Sequence, residues 1–211
     1  MTAGASVLPF SAEDFRRRAA IDHGPHERFD YGDHSFNPGH PRVTGPRTLR
    51  DAAVLIPVVD RGDEASVILT KRAETLSSHS GQVAFPGGRI DPTDASPEDA
   101  ALREAQEEIG LDLSHVELVG RMPDYVSGSG YRIAPVLSVV RPGFRLALNQ
   151  HEVDAAFEVP LRFLMDPANH KQSSREFNKQ MWVFYDMPYG EQRIWGVTAG
   201  IIRTLYERLY L

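Results

Sequence analysis

Three glutamates crowded into five positions, Glu104, Glu107 and Glu108, are the side chains of this sequence best suited to chemistry. Carboxylates so close together repel one another, and a divalent cation among them removes that cost. Every donor is an oxygen, the chain has no cysteine, and no histidine falls in this stretch. A hard ion, Mg²⁺ or Mn²⁺, is therefore expected in preference to zinc or copper. Mg²⁺ held by a few carboxylates keeps open positions that suit phosphate oxygens. Arg103 lies four residues before Glu107, placed to pair with it and steady the cluster. An isolated acidic run is more often a solvated face, so the surrounding elements decide.

Those elements are legible. Ser96 is an N-cap, Pro97 suits the first helical position, Glu98 and Asp99 suit the first turn, and Gly110 ends the helix. At about 100° per residue, Ala101, Leu102, Ala105 and Ile109 share one stripe while Glu104, Glu107 and Glu108 share another. One face is expected to pack and the other to present three carboxylates. Upstream, Gln82 to Phe85 reads as a short strand that delivers the chain into Pro86, Gly87 and Gly88. These glycines permit a tight turn and close approach of bare backbone to metal or phosphate.

Gly88 followed by Arg103-Glu104-Ala105-Gln106-Glu107-Glu108-Ile109-Gly110-Leu111 resembles the Nudix box, G-x5-E-x7-R-E-U-x-E-E-x-G-U with U apolar. The second half matches throughout. The first half departs: fourteen residues separate Gly88 from Arg103, one more than the pattern allows, and Asp94 stands near the early glutamate position. Leu69-Thr70-Lys71-Arg72-Ala73 and Gly81 to Gly88 resemble the further motif of the coenzyme A pyrophosphatase branch, L-L-T-x-R-[SA]-x3-R-x3-G-x3-F-P-G-G. There Ile68 replaces the first leucine and Ser77 replaces an arginine.

The resemblance implies a Nudix α/β/α sandwich with a mixed central sheet over residues 49–211, preceded by a short helix and irregular arm over 1–48. It implies metal held by Glu104, Glu108 and the Gly88 carbonyl, with Glu107 as metal ligand or base. Glu152, from a region that often reaches the metals in such proteins, is a candidate base or ligand, or an exposed loop acid. Arg103 belongs to the catalytic group, and Arg72, His79 and Gly87 to substrate binding. Arg72 is the nearest motif-matched cation for an additional phosphate.

The remaining sequence is compatible with this. A chain of 211 residues with 41% hydrophobic and 25% charged residues is an ordinary globular protein. Its net charge of -6 argues against a nucleic-acid or anionic-membrane partner. No stretch reaches the ~18 apolar residues of a membrane helix, no secretory signal is visible, and a cytoplasmic enzyme is expected. Residues 11–20 read as a helix whose Arg16, Arg17 and Arg18 form a solvated face. From Asp22 to Gly45 neither hydrophobic period is present, and His23, His26, His34 and His40 fit no ligand spacing. Residues 52–59 and 66–71 read as a hairpin, and 116–122, 131–140 and 156–160 as strands. The loop from Asp124 to Gly130 is flexible by composition, Phe177 to Tyr185 reads as one strand, and the stretch from Ile194 to Leu209 as a packing helix with Trp195 in the core. A homodimer is compatible with the arm and the apolar last helix.

The expected activity is a metal-dependent pyrophosphohydrolase acting on coenzyme A or its thioesters, giving 3′,5′-ADP and 4′-phosphopantetheine or its acyl derivative. The alternatives are a pyrophosphatase of ADP-ribose or another nucleoside-diphosphate-linked compound, and a Nudix-type ligand sensor without catalysis. Retention of all three glutamates and the absence of an appended DNA-binding pattern favour an enzyme.

Overall fold

The apolar run after Asp51 becomes a central strand because both of its faces find cover. The computed structural model describes residues 7–21, 31–44, 48–177 and 179–211. Its elements are α1 (Ala12–Ala19), β1 (Tyr31–Gly32), α2 (Pro41–Thr44), β2 (Arg50–Asp60), β3 (Ala65–Arg72), β4 (Val83–Ala84), β5 (Gly87–Arg89) and α3 (Pro97–Ile109). There follow β6 (Val116–Arg121), β7 (Tyr125–Val126), β8 (Tyr131–Val140), β9 (Val153–Pro160), α4 (Leu161–Leu164), β10 (Lys171–Phe177), β11 (Gln180–Tyr189), β12 (Gln192–Trp195) and α5 (Val197–Leu209).

The main sheet has the order β1-β7-β8-β2-β3-β4, with β5 beside β2, β6 beside β8 and β9 beside β3. β2 runs parallel to β8, from Arg50 opposite Tyr131 to Val59 opposite Val140, and antiparallel to β3 and β5, so the sheet is mixed. Strand alternation then sorts the core. Ile56 and Val58 join Ile201, Ile202 and Leu205 of α5 on one face. Ala53, Leu55 and Val59 join Ala101, Ala105 and Ile109 of α3 on the other. This is the mixed α/β sandwich expected. Among the described residues no helix is long and apolar enough to cross a membrane.

The ends of α3 are as the sequence requires. Ser96 Oγ accepts from the Asp99 N–H at 3.1 Å, and Gly110 takes φ 62°, the left-handed conformation glycine adopts without strain. The acidic stripe differs from expectation. Glu107 keeps its open face, Glu104 is half-buried, and Glu108 is only 3% exposed. Glu108 follows Ala105 by three residues, on the seam between the two stripes, and the Gly87 turn closes over it.

Other expectations are refined. The late strand containing Trp182 is β11, which starts at Gln180 after a turn at Lys179 (φ 62°), so Phe177 belongs to β10 instead. Ile194 and Trp195 end β12, which with β10 and β11 makes a separate three-stranded sheet, and α5 starts only at Val197. Arg16 and Arg18 are not simply solvated: Arg16 pairs with Glu13 and Glu117, and Arg18 with Asp14 and the Leu209 carbonyl. The segment before residue 49 contributes to the core, since Phe15 of α1 is fully buried against the α5 side of the sheet. His23 and His26 lie outside the described residues.

Candidate active site

Glu108 is held by two groups from different strands. Its Oε2 accepts from the Gly87 N–H at 3.1 Å, and Arg72 Nη1 stands 3.6 Å from its Oε1. Burial raises its pKa to about 7 from an ordinary 4.5, against the lowering by Gly87 and Arg72, and the charges of Glu104 and Glu152 raise it further. Glu104 is raised by burial as well, opposed by Arg103 and assisted by Glu107 and Glu152. The fold thus gathers Glu104, Glu107, Glu108 and Glu152 into one electrostatic unit. Glu152 arrives from the turn before β9, where Asn149 Nδ2 donates to its Oε1 at 3.1 Å.

Arg103 organises the outer side. Its Nε and Nη2 donate to both oxygens of Asp94 at 2.9 Å, and its Nη1 donates to Glu104 at 2.9 Å and to Glu107 at 3.0 Å. Nη2 also donates to the Arg89 carbonyl at 3.1 Å, tying α3 to β5. The guanidinium holds the Asp94 carboxyl down at about 2. The longer loop between Gly88 and Arg103 thus still brings an acid to Arg103, a partnership that Asp94's off-pattern position had left unassigned.

Among the described residues no three acidic or imidazole side chains are arranged as a metal site, and Arg103 pairs with Glu104 and Glu107. The donor set nevertheless fits a hard divalent cation. All its side-chain atoms are carboxylate oxygens, and Glu108 is a buried acid whose ionisation a cation would favour. At Gly88 the space is already taken: a Cβ there would lie 2.5 Å from the Glu104 carboxyl carbon, so only bare backbone can stand beside that carboxylate.

A cavity of about 550 Å³ opens beside this cluster. Gly87, Gly88, Arg72 and His79 all line it, so the predicted substrate residues do come together. His79 adopts φ 56° and its Nδ1 lies 2.9 Å from Gln82 Oε1. Arg72 faces Glu108, and its Nε is buried without a hydrogen-bond partner. Ser77, which replaces the subfamily arginine, is exposed and does not line the cavity.

Sequence reasoning missed the far wall. It is made by the face of the three-stranded sheet carrying Arg175, Phe177, Trp182 and Trp195, with Gly128 and Asp33 at its edge. Trp195 is therefore a cavity residue rather than a core one. The segment 31–40 secures this wall: Asn37 Nδ2 donates to the Val183 carbonyl at 3.0 Å and the Val183 N–H donates to Asn37 Oδ1 at 2.8 Å. His40 packs edge-on against Trp182, ring centres 4.9 Å apart. Asp33 accepts from Tyr125 Oη at 2.8 Å and from the Gly128 N–H at 2.7 Å, so the glycine-rich loop is tied down rather than free. The signal available in the sequence was Asp33 and Asn37 themselves, polar residues whose partners are about 90 and 146 positions away.

Comparison with known proteins identifies the family. The NUDIX domain model matches residues 49–188. A protein of Cronobacter sakazakii named uncharacterized Nudix hydrolase NudL is 42% identical over 159 residues, covering 74% of this chain and 81% of that protein. The protein of the same name from Escherichia coli K12 is 41% identical over 159 residues, again covering 74% and 81%. Among solved structures, DR0079 from Deinococcus radiodurans superposes with a TM-score of 0.50 at 13% identity, covering 80% of this chain and 88% of that one, a likeness of fold. The chain belongs to the Nudix hydrolases, metal-dependent enzymes that cleave diphosphate substrates.

Proposed function

We propose that the chain hydrolyses the diphosphate of coenzyme A or its thioesters to 3′,5′-ADP and 4′-phosphopantetheine or its acyl derivative. The observation that carries this reading is the placement of buried Glu108, against Gly87 and Arg72, at the edge of a cavity lined by three arginines and several aromatic rings. The likeness of residues 69–73 and 81–88 to the coenzyme A branch supports the choice of substrate. We take 49–211 as the catalytic domain, completed by the preceding segment.

Glu104, Glu108 and the Gly88 carbonyl would hold Mg²⁺ or Mn²⁺. When bound, the ion supplies charge neutralisation and Lewis acidity at the diphosphate. Arg72, with its buried unpartnered Nε, binds a non-bridging phosphate oxygen. Water adds to one phosphorus, the bond from that phosphorus to the bridging oxygen breaks, and the water proton passes to a carboxylate left free of the cation, Glu152 or Glu107. Arg103 keeps Glu104 and Glu107 oriented through Asp94. His79 bounds the substrate beside Gln82.

The test is a hydrolysis panel of coenzyme A, 3′-dephospho-coenzyme A, ADP-ribose, NADH and diadenosine polyphosphates, with Mg²⁺ and Mn²⁺ compared. The expected result is the highest kcat/KM for coenzyme A, with 3′,5′-ADP as product. Faster cleavage of ADP-ribose would replace the substrate, and turnover of none would favour a ligand sensor.

A further inference from the structure

The cavity holds more positive charge than a diphosphate beside a metal site requires. Arg72, Arg89 and Arg175 line it, in a chain of net charge -6. The acid on the cavity wall, Asp33, is already engaged by Tyr125 and Gly128. Arg72 faces Glu108, and the backbone of Arg89 is tied to β2 and to Arg103, so both belong to the end where the diphosphate would lie. Arg175 comes from the other sheet.

Register sets what Arg175 faces. It pairs directly with Trp182 across β10 and β11, and side chains opposite one another in an antiparallel pair share a face. Trp195 belongs to the same face through the β11 and β12 pairing. Arg193, also on this face, is held by Asp186 at 2.6 Å. Among the described residues Arg175 has no such acid, although it lines the same cavity. A guanidinium with free donors directly across from the Trp182 indole suits a nucleobase and an anionic group on its sugar.

We propose that Arg175 is a specificity residue that reads a phosphate on the ribose of the nucleotide half of the substrate, with Trp182 against the base. This rests on the reading of the cavity as a nucleoside-diphosphate site and assigns the discrimination to the far wall instead of Arg72. Discrimination then depends on a charge-assisted contact of the kind worth about ten- to a hundredfold in affinity, reduced by salt because Arg175 is exposed.

The experiment is calorimetric titration of 3′,5′-ADP and of 5′-AMP into the full chain and into Arg175→Ala and Arg175→Lys, alongside kcat/KM on coenzyme A and ADP-ribose. The wild type is expected to bind 3′,5′-ADP about tenfold more tightly than 5′-AMP. Arg175→Ala brings that ratio near one by weakening 3′,5′-ADP more than 5′-AMP and lowering kcat/KM on coenzyme A more than on ADP-ribose, and Arg175→Lys restores part of the preference. A wild type without preference, an unchanged ratio in Arg175→Ala, or equal loss of both ligands overturns the proposal. Arg175-dependent binding in a protein that does not cleave coenzyme A would sustain this inference while refuting the proposed substrate. Cleavage of coenzyme A with a ratio indifferent to Arg175 would do the reverse.

Discussion

The two ends of the cavity are built in opposite ways. The acidic end comes largely from one continuous stretch, Gly87 to Gly110, in which a glycine turn, a loop and a capped helix place Glu104, Glu107, Glu108, Asp94 and Arg103 through contacts of short sequence separation, with Arg72 and Glu152 added from β3 and the turn before β9. The far end is assembled from segments around Asp33, Gly128, Arg175 and Trp182, joined by hydrogen bonds spanning 92 to 146 residues. On the proposed reading, the chemistry belongs to a local, densely bonded unit, and the discrimination between substrates belongs to a surface where separate segments meet. Changes at the first end are expected to lower kcat, and changes at the second to raise KM.

The sharpest break at the acidic end is Glu104→Gln or Glu108→Gln. Each removes a charge from the proposed metal site, and kcat is expected to fall by several orders of magnitude with the fold intact by circular dichroism. Near wild-type turnover at saturating Mg²⁺ would remove these residues from the metal site. Next in size is a pair of single-methyl changes, one at each end. Gly88→Ala drives a Cβ to 2.5 Å from the Glu104 carboxyl, and kcat should drop by about a hundredfold. Gly128→Ala places one 2.5 Å from Trp182 Cζ2, and KM for the nucleotide substrate should rise by about tenfold with kcat retained. If the two variants lose kcat alike, the division between the ends is wrong.

The sequence revealed the first end because its determinants are periodic and close together. Ser96, Pro97 and Gly110 delimit the helix, and the 3.6-residue repeat separates Ala101, Ala105 and Ile109 from the acids. It did not reveal that Glu108 turns under, since burial of a carboxylate depends on Gly87 and Arg72 arriving from other strands. The far wall was illegible for the same reason on a larger scale. Nothing local marks Asn37 as a clamp on Val183, and the alternation across Phe177 to Tyr185 conceals a turn at Lys179. Trp195, with its aromatic bulk, resembles a core residue until the second sheet is seen to line a cavity.

A smaller effect separates the ends through the clamp itself. Asn37→Ala leaves the Val183 N–H and carbonyl without their side-chain partner, at a cost of about 1–3 kcal/mol, and should raise KM more than it lowers kcat. Thermal melts and steady-state kinetics check both parts, and a kcat loss with unchanged KM would contradict the assignment.

A further effect is expected on stability against pH in metal-free buffer. The folded-state pKa of Glu108, about 7, lies above its ordinary 4.5, so between these values the folded protein binds a proton that the unfolded chain does not. Stability from this group is therefore lost as pH rises through that window. Glu108→Gln removes the dependence, and its melting temperature relative to wild type should increase between about pH 5 and about pH 8. A difference independent of pH would mean that Glu108 is not held as a buried acid.

The central claim, that Glu104 and Glu108 form the divalent-cation site beside Gly88, is tested most directly by titrating Mn²⁺ into the metal-free protein and following free ion by electron paramagnetic resonance. Wild type and Gly128→Ala are expected to bind Mn²⁺ alike, and Glu104→Gln and Glu108→Gln to lose that binding. Undiminished Mn²⁺ binding in both glutamine variants would contradict the claim.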